Sequence, residues 1–280
     1  MYENHLLAPF GDSHVHFWGK ITEIPSVSND ASVPTIYWMG PAKAYGLEHQ
    51  TENKTHERFL LIKKNLEDFN LIPIACFGEI DSRINCTKKF LFDGSHLHVE
   101  YLVKSYLRKL NEINNNNIVI WGPPPSAPDD GMFNDELPAY GDNMTRNYLT
   151  HIFNKAIIRG VQDYSKLNFL TFFYDMVDSD LSTKKNILHD GCHLSVKFQD
   201  SSKQLLYKLL DTGSKAMFNL DRFNAIGSYK RIFRPIPSGE RRPFISFYKN
   251  KDGELKEYFS YQPFSPIDTK IEFATIEKVN

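Results

Sequence analysis

Short apolar runs alternate along most of the chain with longer segments in which apolar residues recur at every third or fourth position. The short runs are residues 5–10, 33–39, 71–77, 118–121 and 167–173. Each is bounded by Gly, Pro or Asp, which is typical of buried strands in a parallel sheet. The longer segments, residues 57–68, 98–113, 143–161 and 195–210, have helical spacing. Five strands separated by helices predict an α/β domain with crossover connections.

Two segments interrupt this pattern. Residues 123–138 are rich in proline and acidic residues, which predicts a loop crossing the surface. After about residue 220, aromatic-rich runs at 244–248 and 255–261 flank an Asn-Lys-Asp-Gly sequence that is typical of a hairpin turn. We therefore predict a main domain at residues 1–219 and a small β-rich extension at residues 220–280.

Composition narrows the class of protein. The 33 Lys and Arg residues balance 34 Asp and Glu residues, so the net charge of -1 leaves no basic footprint for a nucleic-acid partner. Three cysteines cannot all pair, which argues against a disulfide framework. No apolar run is long enough to span a membrane, and the N-terminus lacks a signal-peptide pattern. We expect a cytoplasmic protein.

Two motifs carry the candidate chemistry. Gly11-Asp12-Ser13 directly follows the first predicted strand, so its serine hydroxyl would lie at the sheet edge where α/β proteins bind ligands. Asp190 precedes His193 by three residues just before the last helix of the main domain. At this spacing the carboxylate can orient one imidazole nitrogen while the other faces a serine across the crevice. This predicts Ser13 as nucleophile, His193 as general base and Asp190 as the residue that orients it.

A third segment, residues 78–83 (Gly-Glu-Ile-Asp-Ser-Arg), follows the third predicted strand and is expected at the same edge. In this order, the motifs resemble those of the SGNH/GDSL hydrolase superfamily over residues 5–215. Gly11-Asp12-Ser13 corresponds to its first block and Asp190-Gly191-Cys192-His193 to its last. The resemblance implies a three-layer α/β/α fold with a five-stranded parallel sheet of flavodoxin-like order.

The resemblance also implies a reaction. It is that of a serine esterase that forms an acyl-enzyme and removes a small acyl group such as acetyl, without a metal or another cofactor. The form of residues 78–83 is similar to a subgroup associated with bacterial surface-polysaccharide genes, which makes a carbohydrate ester the expected substrate. The same residues would equally serve an O-acetyltransferase, and neither the acyl group, the acceptor nor the oligomeric state can be read from the sequence.

One position departs from the family pattern. The third block of the family is Gly-x-Asn-Asp, and here Ile80 occupies the place of the Asn, which would donate a hydrogen bond to the oxyanion. The resemblance leaves the main-chain N–H of Ser13 and that of a glycine as donors. Gly40, after the second predicted strand, is the best match for that glycine, and Gly46 is the alternative.

The remaining candidates for contacts with the oxyanion or substrate are Gly78, Arg83 and His14. Arg83 is the nearby cation that could assist, although it could equally pair with Glu79 or Asp81.

Two other classes of function stay open. His14 and His16 after an N-terminal strand also resemble the His-x-His metal site of amidohydrolase barrels, because side chains at i and i+2 of a strand point the same way. Such a barrel needs eight strand–helix units, and only five are predicted. The second class is a non-catalytic carbohydrate-binding module, which the apolar Ile80 would favour and an intact Ser13–His193–Asp190 set would oppose.

Overall fold

The computed structural model describes residues 5–19, 36–51, 54–129 and 138–227, together with short strands of the segment that follows. A six-stranded sheet lies at its centre, with every neighbouring pair of strands parallel. Its strands are β1 (Leu6–Gly11), β2 (Tyr37–Trp38), β3 (Leu71–Cys76), β4 (Ile118–Trp121), β5 (Leu167–Leu170) and β6 (Ala216–Met217).

The strand order is β2-β1-β3-β4-β5-β6. Its first five strands have the flavodoxin-like order, as predicted. The prediction of five strands was wrong by one, because β6 has only two residues and therefore forms no apolar run in the sequence. It pairs with Phe169 and Leu170 at the edge of the sheet. Residues 33–35 of the second predicted strand lie outside the described residues.

Helices cover both faces of this sheet and make three layers. They are α1 (Thr55–Leu66), α2 (Thr87–Asp93), α3 (Leu97–Asn111), α4 (Asn143–Gly160), α5 (Phe173–Met176) and α6 (Gln199–Asp211). On one face, buried residues of α1, α3 and α4 form a cluster with Phe10 and Ala75. On the other, Leu206 of α6 packs with Leu7 and Ile74. Neighbouring strand residues thus point to opposite faces, as the strand period requires.

Two local predictions were wrong. The helical spacing predicted a helix over residues 57–68, but α1 ends at Leu66, and the side chain of Phe69, which continues that spacing, is exposed. The carboxylate of Asp68 accepts a hydrogen bond from the main chain of Asn70 and so closes a turn there.

The proline-rich segment 123–138 was predicted as a surface loop, yet residues 123–127 are buried, and residues 130–137 lie outside the described residues. The fully buried Arg146 of α4 donates to Ser126 Oγ at 2.9 Å and to the carbonyl of Ala127 at 2.8 Å. A buried loop is tolerated when its polar groups find such partners.

The C-terminal segment begins with α7 (Leu220–Gly227), whose Ile226 is buried in a cluster with Phe173 and Tyr174. The parts of residues 228–280 that the structure describes are the strands β7 (Tyr229–Arg231), β8 (Arg234–Pro235), β9 (Phe244–Lys249), β10 (Leu255–Ser260) and β11 (Ile276–Lys278). Strands β9 and β10 pair antiparallel, and the predicted turn at 250–253 lies outside the described residues. A boundary after residue 219 stays a prediction.

Among the residues that the structure describes, no helix is long and apolar enough to cross a membrane.

Candidate active site

The strand order places a crevice between β1 and β3. Connections leave these two neighbouring strands in opposite directions along the sheet, to β2 on one side and to β4 on the other. Ligands of open α/β sheets bind at such a switch point, outside the carboxyl ends of the strands. The two segments that leave the sheet there carry Ser13, which follows β1, and residues 78–83, which follow β3.

The turn that carries Ser13 is fixed by its neighbours. Gly11 has φ +144°, and a Cβ at this position would lie 2.0 Å from the carbonyl oxygen of Cys76 on β3, so only glycine fits. Asp12 caps the 3-10 helix Ser13–Trp18, because its Oδ1 accepts the main-chain N–H of His14 at 2.9 Å. Asp12 therefore shapes the turn, and Ser13 opens the helical turn at the sheet edge.

A tight loop carries Asp190 and His193. Its ends are joined by hydrogen bonds between the main chains of His189 and His193 and of Ser195 and Ile187, each 2.9 Å. Within the loop, Asp190 Oδ1 accepts from the main-chain N–H groups of Cys192 at 2.9 Å and His193 at 2.7 Å. Hydrogen bonds within the loop therefore hold the Asp190 carboxylate in position to contact the imidazole of His193.

The Ser13, His193 and Asp190 side chains form one hydrogen-bonded chain. His193 Nε2 lies 2.8 Å from Ser13 Oγ, and His193 Nδ1 lies 2.6 Å from Asp190 Oδ2. Ser13 and His193 are 180 positions apart in sequence, so the contact depends on the fold. Gln199, at the start of α6, supports it by donating to the carbonyl of Phe17 at 2.9 Å, which ties the two segments together.

The electrostatics of this chain suit a base. Partial burial lowers the pKa of His193 below its ordinary value of 6.5, the positive charge of His14 lowers it further, and Asp190 opposes both effects. Burial alone would raise the pKa of Asp190, but the hydrogen bonds from His193 and from the main chain of Cys192 lower it overall. At neutral pH the arrangement is a neutral imidazole between a hydroxyl and a carboxylate.

A buried ionic cluster lies beside this chain. Arg83 contacts Glu79 through two hydrogen bonds of 2.9 and 3.2 Å, and its Nη1 donates to the carbonyl of Pro138 at 2.9 Å. His14 Nε2 lies 3.9 Å from Glu79 Oε2, with both side chains almost fully buried. The ring of His14 is centred 5.2 Å from that of His193. Of the two pairings considered for Arg83, the one with Glu79 is present.

Ionisation in the cluster follows from these contacts. Burial alone would raise the pKa of Glu79, but the adjacent Arg83 cation and His14 lower it well below its ordinary value. Burial alone would lower the pKa of His14, but the charges of Asp12 and Glu79 raise it overall. These contacts favour the cationic form of the His14 imidazole, whereas the neutral form is favoured at His193 beside it.

The glycines singled out from the sequence lie near the carboxyl ends of the strands, where Ser13 is found. Gly78, the second residue after β3, has φ +110°, and a Cβ there would lie 2.7 Å from the ring of Phe153, so this position requires glycine. Gly40 follows β2, whose Trp38 pairs with Gly11 of β1, and this places Gly40 beside the serine turn. Gly46 lies further along the same loop, in a 3-10 turn.

Asp81 has a role that sequence reasoning missed. Its buried carboxylate accepts the main-chain N–H groups of Ala44 at 2.7 Å and Tyr45 at 3.2 Å, which fixes the loop after Gly40. Burial raises the pKa of Asp81 to about 6, against the lowering effect of these hydrogen bonds. Ile80, beside it, is buried and apolar. The Asp of the motif was visible in the sequence, but its partners lie 36 and 37 positions away.

The alternative of a metal-dependent barrel is wrong. That alternative required His14 and His16 to lie on a strand, where their side chains would point to the same side. Both residues lie instead in the 3-10 helix Ser13–Trp18. The sheet is open, with six parallel strands. Within the described ranges, no group of three or more His, Cys, Asp or Glu side chains could hold a metal ion.

All three cysteines are free. Cys192, inside the loop of His193, has its pKa raised to about 12 by burial and by the charge of Glu79, which disfavours a thiolate nucleophile.

Comparison with known proteins finds similar chains among solved structures. No family model matches the chain, and no curated protein matches it significantly. Est24, a carbohydrate acetylesterase from Sinorhizobium meliloti, is similar with a TM-score of 0.43 and 15% identity, over 74% of this chain and 99% of that one. The aryl esterase of M. smegmatis is similar with a TM-score of 0.43 and 13% identity, over 74% and 99%.

A third structure, the salicylyl-acyltransferase SsfX3 from a tetracycline biosynthetic pathway, has a TM-score of 0.37 and 13% identity, over 74% of this chain and 55% of that one. The proteins to which this chain is similar in structure are thus described as esterases and as an acyltransferase.

Proposed function

We propose that this protein is a serine esterase that works through an acyl-enzyme. One observation carries the proposal, the continuous hydrogen-bonded chain from Ser13 through His193 to Asp190, with distances of 2.8 and 2.6 Å. A hydroxyl is a weak nucleophile until a base within hydrogen-bond reach takes its proton. Here the base is oriented by a carboxylate that is itself held by two main-chain N–H groups.

The reaction follows from these contacts. Ser13 Oγ attacks the ester carbonyl while His193 Nε2 takes its proton, and the carbonyl π electrons move to the oxygen of a tetrahedral intermediate. Asp190 stabilises the imidazolium that forms. His193 returns the proton to the leaving alcohol oxygen as the ester C–O bond breaks, which leaves the acyl group on Ser13. Water then repeats the sequence with His193 as its base, releasing the acid and restoring Ser13.

Main-chain donors are proposed to hold the oxyanion. Ser13 opens a helical turn, and the first N–H groups of a helix lack intrahelical partners. Gly40 can supply a second N–H from the loop that Asp81 fixes. Loss of one oxyanion donor typically costs about 2.7–4 kcal/mol of transition-state stabilisation, so Ile80 in place of Asn predicts a slower enzyme than one with a complete set.

We propose an acetyl ester of a carbohydrate as the substrate. The near-neutral net charge is compatible with an uncharged ester, and the motif resemblance favours a sugar. Hydrolysis is favoured over transfer because the side chains of His193 and Asp190 are 28% and 42% exposed, which lets water approach the base. A transferase gains from excluding water at this step.

The test compares turnover of 4-nitrophenyl acetate by the wild type, Ser13→Ala and a matched control. Ser201→Ala removes an exposed serine hydroxyl at the start of α6 and should leave the rate unchanged. For Ser13→Ala we expect kcat to fall roughly 10⁴-fold or more, because members of such a triad act as a unit. Equal rates for the wild type and Ser13→Ala would disprove the catalytic serine. No turnover by either protein would favour a binding module.

A further inference from the structure

Trp38 differs from the other two tryptophans of the chain. Trp18 and Trp121 are buried on one face of the sheet, where their rings contact each other. The side chain of Trp38 is 57% exposed. A single exposed apolar side chain is ordinary in a soluble protein, so exposure alone does not indicate a function for Trp38. Its location in the fold is the informative observation.

Trp38 lies beside the candidate active site. It ends β2 and pairs with Gly11 of β1, two residues before Ser13. The ring of His16 is centred 5.9 Å from that of Trp38 and 6.5 Å from that of His193. Three rings therefore run in sequence from the proposed base to the exposed indole.

The chemistry of these rings suits a particular ligand. Partial burial lowers the pKa of His16 below 6.5, as do the charges of His193 and His14, so its imidazole is neutral at neutral pH. A neutral imidazole has one hydrogen-bond donor and one acceptor. An indole presents a broad apolar face with a polar N–H at its edge. Apolar faces combined with a few placed polar groups are typical of small-molecule sites.

A pyranose ring matches both properties, since its axial C–H bonds form an apolar face and its hydroxyl groups both donate and accept hydrogen bonds. We propose that Trp38 stacks on the sugar ring that carries the ester, while His16 hydrogen-bonds one of its free hydroxyls and so directs the acyl carbonyl to Ser13. Trp38 and His16 thereby determine specificity for the alcohol part of the substrate. This inference rests on the proposed esterase function and names the part of the site that recognises the sugar.

Binding can be tested without catalysis. Because Trp18 and Trp121 are buried, acrylamide quenching of tryptophan fluorescence reports mainly on Trp38. In the Ser13→Ala variant, methyl glucoside carrying one acetyl group, used as the mixture of positional isomers, should protect this fluorescence from quenching. In Ser13→Ala/Trp38→Phe most of the quenchable fluorescence should be lost, which identifies the protected signal as that of Trp38. Absence of protection in Ser13→Ala up to about 1 mM, the upper end of usual KM values, would overturn the inference.

Selectivity is the second test. For Trp38→Ala, the ratio of kcat/KM for the monoacetylated glucoside to kcat/KM for ethyl acetate should fall roughly tenfold, because ring stacking is lost from one substrate only. Phe69→Ala is the matched control. Phe69 is exposed to a similar extent, but it precedes β3 and so lies at the amino-terminal ends of the strands, away from Ser13. It should leave the ratio unchanged.

Each remaining outcome has a separate meaning. An unchanged ratio in Trp38→Ala would overturn the stacking role. Cyclohexyl acetate has a ring of the same size without hydroxyls. If Trp38→Ala lowered kcat/KM for this ester as much as for the glucoside, the ligand would be an apolar alcohol and not a sugar, and the assignment of ligand class would be wrong. If Ser13→Ala retained full turnover, the esterase proposal would fail, yet protection of Trp38 by the glucoside would still support a sugar site.

Discussion

Two histidine–carboxylate pairs lie side by side near the carboxyl ends of the strands, with 5.2 Å between the ring centres of His193 and His14. His193 and Asp190 are 2.6 Å apart and partly exposed. His14 and Glu79 are 3.9 Å apart and almost fully buried, and Glu79 also pairs with Arg83. The first pair reaches a serine hydroxyl, whereas the second has a guanidinium as its further partner.

The difference shows how one pair of residue types can have two uses. In the proposed reaction, exposure to water allows His193 to gain and lose a proton while Asp190 keeps its orientation. Burial with Arg83 fixes the charge of Glu79, because removing one partner would leave an unpaired charge in the interior. We therefore assign proton transfer to the exposed pair and structural support, with an electrostatic effect on His193, to the buried one.

The largest expected effect is on catalysis. His193→Ala should lower kcat/KM for 4-nitrophenyl acetate by roughly 10⁴-fold or more, since the serine loses its base. Its free energy of unfolding should change little, because the side chain is partly exposed. His49→Ala, at an exposed histidine whose ring stacks on that of Tyr45, is the control and should match the wild type in steady-state kinetics. A fall of less than tenfold in His193→Ala would contradict the division of roles.

The next effect is on stability. Glu79→Gln keeps the shape but leaves the buried Arg83 cation without its anion, which typically costs about 3–5 kcal/mol in the free energy of unfolding. Glu100→Gln breaks the exposed pair with Arg159 and should cost about 0–1 kcal/mol. Urea denaturation of both variants measures the difference, and equal losses would show that the buried pair has no special role.

The same pair gives stability a pH dependence with a defined sign. The pKa of Glu79 is lower in the folded chain than its ordinary value of 4.5, so its contribution is complete above that pH and is lost as the pH falls below it. The stability gap between the wild type and Glu79→Gln should therefore narrow on acidification. A gap that widens would show that Glu79 is protonated in the folded protein.

The smallest effect concerns the coupling between the two pairs. The charge of His14 lowers the pKa of His193, so His14→Gln should raise that pKa. Because the base acts in its neutral form, the acid limb of the pH profile of kcat/KM should move to higher pH. His49→Gln should leave the profile in place. A limb that stays or moves to lower pH in His14→Gln would mean that His14 is neutral while the enzyme works.

Local periodicity was sufficient to predict much of the fold. β4 has the predicted bounds, and α4 differs from its predicted end by one residue, because both segments bury continuous apolar patterns. β6 was missed because two residues at a sheet edge carry no pattern. No element was predicted for residues 81–93, where the structure has a π-helical turn, Asp81–Cys86, that leads directly into α2.

For the site, the sequence predicted which chemistry comes together and missed what supports it. Ser13 was inferred from its place at the end of the first strand, and the loop of His193 from the spacing of Asp190 and His193 before the last helix. The contacts of Asp81 with the loop after Gly40 could not be predicted, because main-chain partners distant in sequence have no residue signature. The exposure of Trp38 was equally hidden, since it depends on which face of a short edge strand the neighbouring elements cover.

Covalent labelling tests the central claim most directly. A fluorophosphonate probe should react with the wild type at a single site, and peptide mass spectrometry should locate the adduct on Ser13. The adduct should be lost in Ser13→Ala and strongly reduced in His193→Ala, while Ser201→Ala should label like the wild type. Labelling at another residue, or undiminished labelling in His193→Ala, would contradict a serine activated by His193.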